Sequence, residues 1–419
     1  MRKVAVLGLV FAIACGIAQA DAQISDNEVR IGILTDQSGP YADFGGDASV
    51  TAAQIAAEDM GGMVRGKMIR ILSGDHQNKP ELASTIAEQW LNDDHIDAVV
   101  DVTGSAVSRA ARQMISEAGK VVFYSGADSG GTAGPNCFAT TFQWTPDLHE
   151  RAFGMVRAVV QTGGKRWFLL TADNASGHEI ADILRKEIAA RGGTVIGEVR
   201  HPSGGTDLSA FLLQAQVSGA QVIGLASKGS DALTAMKQAG EFGIPAGGQK
   251  LVALSLALSN VHAVGLDEAQ GLVSSTAYYW NWDDASRAFA ERYERRAGRK
   301  PGMVQASVYS AVLHYLKAVQ ASGSDHGRAV AATMRQAPVS DFFARGARIG
   351  ADGRLDQRLF LVEAKHPNQS KGEWDYYSLL RTIPTSVGKD PAARGGLRVS
   401  RPFSCRNTTG ILARSELAD

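Results

Sequence analysis

The stretch VRIGILTDQSGPYADFGG, residues 29–46, contains the pattern on which the fold prediction rests. Val29 to Leu34 are mostly apolar and rich in β-branched residues, which predicts a short buried strand. Thr35 to Gly46 are rich in Gly, Pro and Asp, which predicts a loop. A helix is expected from Ala48 to Met60, so the segment reads as one strand–loop–helix unit of an α/β protein.

The same unit recurs along the chain, first to about Tyr124 and again from Arg166. Further strands are expected at 69–74, 98–102, 121–124, 166–170, 195–199, 222–225, 250–254 and 272–277. Helices are expected at 80–92, from about 106 to 116, and at 179–190, 284–297 and 304–321, with a closing hairpin from 354–362 and 374–380. This alternation predicts two open parallel sheets, each covered by helices.

Length and charge agree with a two-lobed soluble protein. A chain of 419 residues exceeds the size at which a single core stops growing, which favours two lobes. Lys plus Arg and Asp plus Glu number 43 each, so a nucleic-acid partner has no electrostatic support.

The first twenty residues have the pattern of a secretory signal peptide. Arg2 and Lys3 precede a short apolar run, and Ala18-Gln19-Ala20 is a small-x-small cleavage site. We therefore expect export to the periplasm and cleavage near Ala20. Cys15 raises the alternative of a lipid anchor, but Ala12 stands where a lipoprotein signal usually carries Leu. Cys137 and Cys405 then remain, and a disulfide between them is favoured over two free thiols.

Parallel sheets also predict where a ligand would bind. Ligands of open α/β sheets sit at the carboxyl ends of the strands. That rule places six loops at the mouth of a site between the lobes: 35–46, 103–105, 125–131, 173–177, 226–230 and 255–260.

No motif of an enzyme or a cofactor site is present in the sequence. It contains no P-loop, no Gly-x-Ser-x-Gly and no His-Glu-x-x-His, and the cysteines lack metal-ligand spacing. We expect no enzymatic activity, no cofactor and no metal. A triad assembled from distant residues would escape this test, so a hydrolase stays an alternative.

Several short stretches together resemble a known family, the Leu/Ile/Val-type substrate-binding proteins of ABC transporters. Within it, the chain looks closest to a branch that often binds aromatic acids or related small carboxylates. These stretches are TDQSGPYAD (35–43), DHQNKP (75–80), SGA (125–127), FLLQAQ (211–216) and KGEWDYY (371–377).

The resemblance implies a type I periplasmic-binding fold, two Rossmann-like lobes joined by a three-crossover hinge. Crossovers are expected near 142–145, 276–280 and 338–343. The first lobe is assigned residues 26–144 plus 278–338, the second 145–277 plus 339–387, and the tail 388–419 is tethered to the first lobe through Cys405. The family further implies a small-molecule ligand, an inner-membrane ABC permease as partner, and no need for a partner subunit, so we expect a monomer. A stand-alone periplasmic sensor of the same fold is the alternative.

In this family the ligand's carboxylate is held in the first lobe, and the matching positions here are Ser105, Ala127 and Ser129. Helix N-termini suit an anion, although Ser105 also reads as a plain N-cap. Asp128, between two of these donors, would pair with a ligand ammonium or stay solvated.

Aromatic residues form a second group of candidates. Tyr41 would lie over the ligand or pack against the following helix. Tyr279 and Trp280, in the Tyr278-Tyr279-Trp280 cluster at a predicted crossover, would wall the ligand or fill the hinge.

The second lobe departs from the family pattern. Asn174 and Ser176 stand where close relatives carry aromatic residues, and Lys228 stands where a small residue is usual. A roomier and more polar half-site is therefore expected, with Asn174 and Ser176 lining it. Lys228 would meet a second anionic group or point into solvent.

Overall fold

The computed structural model describes residues 23–126, 137–384 and Cys405. The predicted signal peptide lies outside this range, as does the tail apart from Cys405. No helix of the described part is long and apolar enough to cross a bilayer.

The described residues form strands and helices in alternation. The strands are β1 Glu28–Thr35, β2 Met63–Val64, β3 Lys67–Asp75, β4 Ala98–Asp101, β5 Val121–Tyr124, β6 Thr141–Gln143, β7 Arg166–Ala172, β8 Thr194–His201, β9 Val222–Ala226, β10 Lys250–Ala253, β11 Val273–Thr276, β12 Val339–Ser340, β13 Arg345–Ala347, β14 Arg358–Ala364 and β15 Tyr377–Pro384. The helices are α1 Gly46–Asp59, α2 Pro80–Asn92, α3 Ser105–Glu117, α4 Leu148–Gln161, α5 Ala175–Ala190, α6 Ser209–Val217, α7 Gly229–Glu241, α8 Leu258–Val264, α9 Leu266–Ala269, α10 Asp284–Ala297, α11 Met303–Ser322 and α12 Gly327–Gln336, with a 3-10 turn at Pro367–Gln369.

Two large sheets organise these elements. The first has the order β2-β3-β1-β4-β5-β6 and is parallel except for the β2–β3 hairpin at its edge. The second has the order β15-β14-β11-β10-β9-β7-β8, with β14 and β15 antiparallel at one edge. The predicted α/β class and the predicted closing hairpin are confirmed.

Helices cover both faces of each sheet. In the first sheet, α1, α10, α11 and α12 bury one face, and α2 and α3 bury the other. In the second sheet, α4 and α5 bury one face, and α6 to α9 bury the other. We call these two bodies the first lobe and the second lobe.

Close packing explains one glycine in the central strand of the first sheet. The indole of Trp90 on α2 is buried directly against β1, and a Cβ at Gly32 would stand 2.4 Å from its Cζ3 atom. Any side chain at Gly32 would push α2 away from the sheet, because backbone and ring already touch.

Helix ends follow local sequence signals. Asp147 and Glu150 form a capping box at α4, in which each side chain accepts the other residue's backbone N–H. Asp283 accepts from the Ser286 amide and caps α10, which ends at Gly298 in the left-handed conformation.

The chain passes between the two sheets three times, after Gln143, after Thr276 and between Ala347 and Arg358. The first two passages lie at their predicted positions. The third lies later than the predicted 338–343. Phe342 stacks on Phe289 of α10 at 4.3 Å between ring centroids and keeps this segment in the core of the first lobe.

The first and third passages are joined to each other. The Gln143 amide donates to Gly353 O at 2.9 Å, and the Leu355 amide donates to Gln143 O at 3.0 Å. Arg354, held by these bonds, reaches the capping box of α4, with Nη1 2.6 Å from Asp147 Oδ2 and 3.4 Å from Glu150 Oε1. Two of the three connections between the lobes therefore form one unit, which we call the hinge ladder.

Buried charges hold the hinge ladder together. Burial raises the pKa of Glu150, and the carboxylate of Asp147 adds to this effect, while Arg354 opposes it. Without the guanidinium, two carboxylates would remain side by side away from water.

We expect Arg354→Met to lower the free energy of unfolding by about 3–5 kcal/mol, the cost of removing one partner from a buried ion cluster. Because the remaining carboxylates can take up a proton, the loss should shrink as pH falls from 8 to 5. Urea denaturation of the wild-type protein and the variant at pH 8 and pH 5 measures this loss in the free energy of unfolding.

The matched control is Arg345→Met, which removes an ion pair with Asp283 whose arginine side chain is half exposed. That change should cost under about 1 kcal/mol. Equal losses in the two variants would contradict a structural role for the hinge ladder.

Candidate functional site

Loop 35–46 connects β1 to α1, and Asp36 fixes its shape. The Asp36 side chain is fully buried and accepts the Gly39 amide at 2.6 Å and the Tyr41 amide at 2.9 Å. The C-terminal end of the loop is held by Gln305 of α11, whose side-chain amide nitrogen donates to Phe44 O at 2.8 Å. The loop is thus ordered by the first lobe's own groups.

Asp75 at the end of β3 fixes the near side of the same loop. Its carboxylate accepts from the Gln37 amide at 2.9 Å and from the Ser38 hydroxyl at 2.6 Å. Partial burial works to raise the pKa of Asp75, but these bonds and the Gln77 amide outweigh it and lower the pKa.

The end of β4 shapes the next loop. Asp101 and Val102 have positive φ angles of 81° and 49°, and Gly104, with φ 93°, precedes the first residue of α3, Ser105. The carbonyl of Asp101 accepts from the Ser125 and Gly126 amides at 3.2 and 3.3 Å. The loops after β4 and β5 are therefore joined below the N-terminus of α3, which presents unpaired N–H groups and a positive partial charge.

The second lobe brings the N-termini of α5, α7 and α8 to the corresponding edge of its sheet. Asn174 caps α5 by accepting the Gly177 amide at 2.8 Å, and its side-chain nitrogen donates to Ser203 Oγ at 2.8 Å and to Asp231 Oδ2 at 3.3 Å. These partners tie the start of α5 to α7.

Loop 35–46 also touches the second lobe. The Tyr41 ring lies against Gly229 at the start of α7, where an added Cβ would stand 3.3 Å from Tyr41 Cε1. The Ser259 hydroxyl at the start of α8 donates to Asp43 O at 3.2 Å. Two contacts therefore bridge the lobes at the edge where the helix N-termini face each other.

A cavity opens beside these contacts. Its empty volume is about 550 Å3, counted with the part open to solvent. Both lobes, the second passage and the start of α11 line it: Asp43, Phe44, Leu256, Ala257, Leu258, Ser259, Thr276, Tyr278, Tyr279, Arg299, Lys300, Gly302, Met303, Val304, Gln305 and Tyr377. Its lining combines aromatic and aliphatic side chains with a few polar groups, as small-molecule sites do.

Tyr279 reaches this cavity but also has a structural role. Its hydroxyl donates to Asp375 Oδ1 at 3.1 Å and accepts from the Tyr377 amide at 3.3 Å. Burial raises the pKa of the Tyr279 phenol. For Asp375, bonds from Lys365 and the Lys371 amide outweigh burial and lower the pKa.

Trp280 is placed in the hinge. Its indole N–H donates to Trp374 O at 2.8 Å, and the Lys300 ammonium lies 4.6 Å from its ring centroid. Lys300 also pairs with Glu294 at 2.6 Å. Trp280 does not line the cavity, so its side chain is accounted for by packing between the lobes.

Apart from Trp280, the ligand residues predicted from the sequence divide into four sets. Tyr41 and Tyr279 lie at the interlobe edge, whereas the polar groups of Asn174 are taken up by its cap and its neighbours. Ser105 begins α3, Lys228 is half-buried just before α7, and Ser176 is half-buried in the first turn of α5. Ala127, Asp128 and Ser129 lie outside the described residues.

Several lining residues were missed by the sequence reasoning. Phe44 falls in the predicted first loop, and Leu256 to Ser259 fall in the predicted loop 255–260. Arg299 lies between α10 and α11, Met303 begins α11, and Tyr377 begins β15; the sequence analysis named none of them as a ligand contact.

Cys137 and Cys405 are joined by a disulfide. Cys137 is buried, and β6 of the first sheet begins four residues later. The bond closes a loop of 268 residues in sequence and ties part of the tail to the first lobe.

Comparison with known proteins identifies one family. The model of the periplasmic binding protein family matches residues 28–373. A periplasmic binding protein from Burkholderia mallei is similar at 41% identity, with a TM-score of 0.80 over 86% of this chain and 96% of that one. A branched chain amino acid ABC transporter periplasmic ligand-binding protein from Burkholderia xenovorans is 37% identical, with a TM-score of 0.81 over 87% and 98% of the two chains.

A more distant structure shares the fold alone. It is a solute binding protein of an ABC transporter from Rhodopseudomonas palustris in complex with 3,4-dihydroxy benzoic acid, 18% identical, with a TM-score of 0.77 over 87% of this chain and 100% of that one. No curated protein matches the sequence.

The contact of Tyr41 with Gly229 can be tested by adding one methyl group. Gly229 has φ +55°, so Gly229→Ala strains the backbone by about 1–2 kcal/mol and also places Cβ against the ring. We expect Gly229→Ala to weaken ligand binding several-fold, because the ring must move for the lobes to meet. Calorimetric titration of each variant with a solute that binds the wild-type protein measures the affinity.

Gly192→Ala is the control, since Gly192 has φ +76° and nothing within 4 Å of an added Cβ. It should lower stability by a similar amount without changing affinity. In a Tyr41→Ala background the effect of Gly229→Ala on affinity should disappear. An affinity loss that persists there would argue against the interlobe contact.

Proposed function

Because this chain belongs to the periplasmic binding protein family, it is a solute-binding protein of the kind that serves ABC importers, and we propose that it holds a small carboxylate between its lobes. The observation that carries this proposal is the pair of contacts from loop 35–46 to the starts of α7 and α8, beside a cavity lined by both lobes.

The N-terminus of α3 is the proposed anion site of the first lobe. Unpaired N–H groups of the first turn and the positive end of the helix dipole stabilise an anion by about 0.3–1 kcal/mol, and by up to about 2 kcal/mol where water is excluded. Ser105 would add a hydroxyl donor. Ala127 to Ser129 are proposed to complete the site in the same lobe.

The rest of the ligand is proposed to occupy the cavity. Phe44, Tyr279 and Met303 offer apolar contact area, while the hydroxyls of Ser259 and Tyr377 offer hydrogen bonds. The B. xenovorans protein is named for branched-chain amino acids and the R. palustris protein is in complex with a benzoic acid. These two names and the aromatic and aliphatic side chains of the lining support a branched or aromatic carboxylate as the ligand class.

Binding would proceed by closure of the two lobes. The hinge ladder and the second passage are the only connections among the described residues, so rotation about them brings α7 and α8 to loop 35–46. Burial strengthens the ligand's hydrogen bonds, because competing water leaves. We further propose that the closed monomer docks on an inner-membrane permease in the periplasm.

A thermal-shift screen tests the ligand class. The protein lacking residues 1–20 would be mixed with branched and aromatic amino acids, benzoates, short amides and dicarboxylates. A ligand at one hundred times its dissociation constant stabilises the folded state by about 2.7 kcal/mol, a rise of several degrees in melting temperature. We expect such a rise with carboxylates and a smaller rise in Ser105→Ala.

Ser116→Ala is the control, since Ser116 lies at the other end of α3, about 16 Å away along the helix. It can lower the starting melting temperature but should leave the ligand-induced rise intact. Stabilisation by amides alone, or by none of these compounds, would overturn the carboxylate assignment.

A further inference from the structure

The disulfide between Cys137 and Cys405 lies at the hinge ladder as well as in the tail. Sγ of Cys405 is 3.5 Å from the carbonyl oxygen of Ala351. Because a sulfur in a disulfide carries no hydrogen, this is a packing contact. Ala351 belongs to a tight hairpin in the third passage, residues 348–356, which we call the third-passage hairpin. The disulfide therefore connects the tail, the first lobe and the third passage at one place.

The third-passage hairpin is part of the first lobe, although the chain continues from it into the second. Its backbone closes on itself, since the Gly350 amide donates to Arg354 O at 2.8 Å and the Gly353 amide donates to Gly350 O at 3.0 Å. The side chains of Ile349 and Leu355 are buried in the core of the first lobe. The hairpin is thus a compact body that moves as one piece.

The tip of this hairpin lies directly against β6. Gly353 has φ +82°, and a Cβ at this position would stand 2.3 Å from Thr141 O. This contact adds to the two hydrogen bonds that join Gln143 to Gly353 and Leu355. The first and third passages therefore leave the first lobe from one tightly packed point.

The Cys137 end of the disulfide is fixed in the first lobe. Cys137 is buried, and Thr140 O accepts the amide of Val122 in β5 at 3.0 Å. Arg335 of α12 donates from Nη1 to Ala139 O at 2.5 Å. The segment between Cys137 and β6 is therefore held by a strand and a helix, and the disulfide transmits this hold to Cys405 and the hairpin.

The third-passage hairpin also carries the ladder's contact with the second lobe. Arg354 pairs with Asp147 and Glu150 at the cap of α4. With the hairpin kept on the first lobe, a change in lobe angle must come from bending beyond Arg354 and beyond Gln143, because the hairpin cannot lift away from β6. Fewer hinge motions leave fewer open conformations, so closure of the lobes costs less conformational entropy.

We propose that the Cys137–Cys405 disulfide is a hinge strap, which holds the third passage against the first and so restricts the opening of the lobes. This inference rests on the proposed function, because lobe opening affects affinity only if the ligand binds between the lobes. Removal of the bond should loosen the hinge ladder and weaken ligand binding several-fold, since more open conformations then compete with the closed one.

The test compares the protein lacking residues 1–20 with its Cys137→Ser/Cys405→Ser variant, which keeps the tail and removes only the bond. Hydrogen–deuterium exchange without ligand follows the amides of Gln143, Gly353 and Leu355, with β1 as the internal reference. At labelling times for which β1 stays protected, we expect several-fold faster exchange in the hinge ladder of the variant.

Calorimetric titration with L-leucine, L-phenylalanine and benzoate, well below both melting temperatures, compares the affinities of the two proteins. Trp90→Phe is the matched control, since it loosens the packing of α2 on β1 in a cluster that contains no residue of the third-passage hairpin. This control should lower the melting temperature and leave both the exchange of the hinge ladder and the affinity unchanged. If the double variant does not fold, wild-type protein reduced with tris(2-carboxyethyl)phosphine takes its place.

The outcomes separate the strap from the proposed function. Unchanged exchange in the hinge ladder, or exchange that rises equally in β1, would mean that the disulfide stabilises only the fold as a whole, and the strap would be overturned. A loosened ladder with unchanged affinity would overturn it too. Each of these results leaves the proposed function standing. If none of the three carboxylates binds the wild-type protein, the carboxylate assignment fails, while the exchange comparison still decides whether the disulfide holds the ladder.

Discussion

The parallel arrangement of strands is the constraint on which the rest of this structure depends. Parallel neighbours place their carboxyl ends at one edge, so each sheet delivers its βα loops and helix N-termini to a single side. With two such sheets in one chain, the described loops that follow the parallel strands gather at two facing edges. The contacts of Tyr41 with Gly229 and of Ser259 with Asp43 lie between those edges.

A cleft between two bodies needs connections that bend without separating. Here two of the three passages are bonded through Gln143 and Gly353, and Arg354 fixes them to the cap of α4. Charges buried this deeply rarely add net stability compared with an apolar cluster of the same shape. Their advantage is geometric, because the ion cluster forms in one arrangement only and so specifies how the passages lie together.

Most of the fold followed from the sequence, since apolar runs and Gly-rich loops alternate without interruption. The limits of α2 and β5 were predicted to the residue, and β10 to within one, because Pro80 and the flanking turns mark them. The third passage was misplaced, since Phe342 packs on Phe289 through a tertiary contact that local pattern does not encode. For the same reason Arg299 and Tyr377 were missed at the cavity. Asn174 contacts the Gly177 amide, Ser203 and Asp231, and its contact with a ligand stays a prediction.

Asp97 and Asp101 show why composition alone does not locate function. Both are buried carboxyls that bracket one short strand, and burial raises the pKa of each to about 6. Asp97 receives the Arg30 amide and lies near Lys120, so its cost is partly offset within the lobe. Asp101 has only hydroxyls around it and two glycines that leave room for nothing else. The hydroxyls of Thr35, Ser49 and Thr103 offset part of the cost of burying Asp101, whereas a backbone amide and a lysine do so for Asp97, so two carboxyls at the ends of one strand are accommodated by two different sets of groups.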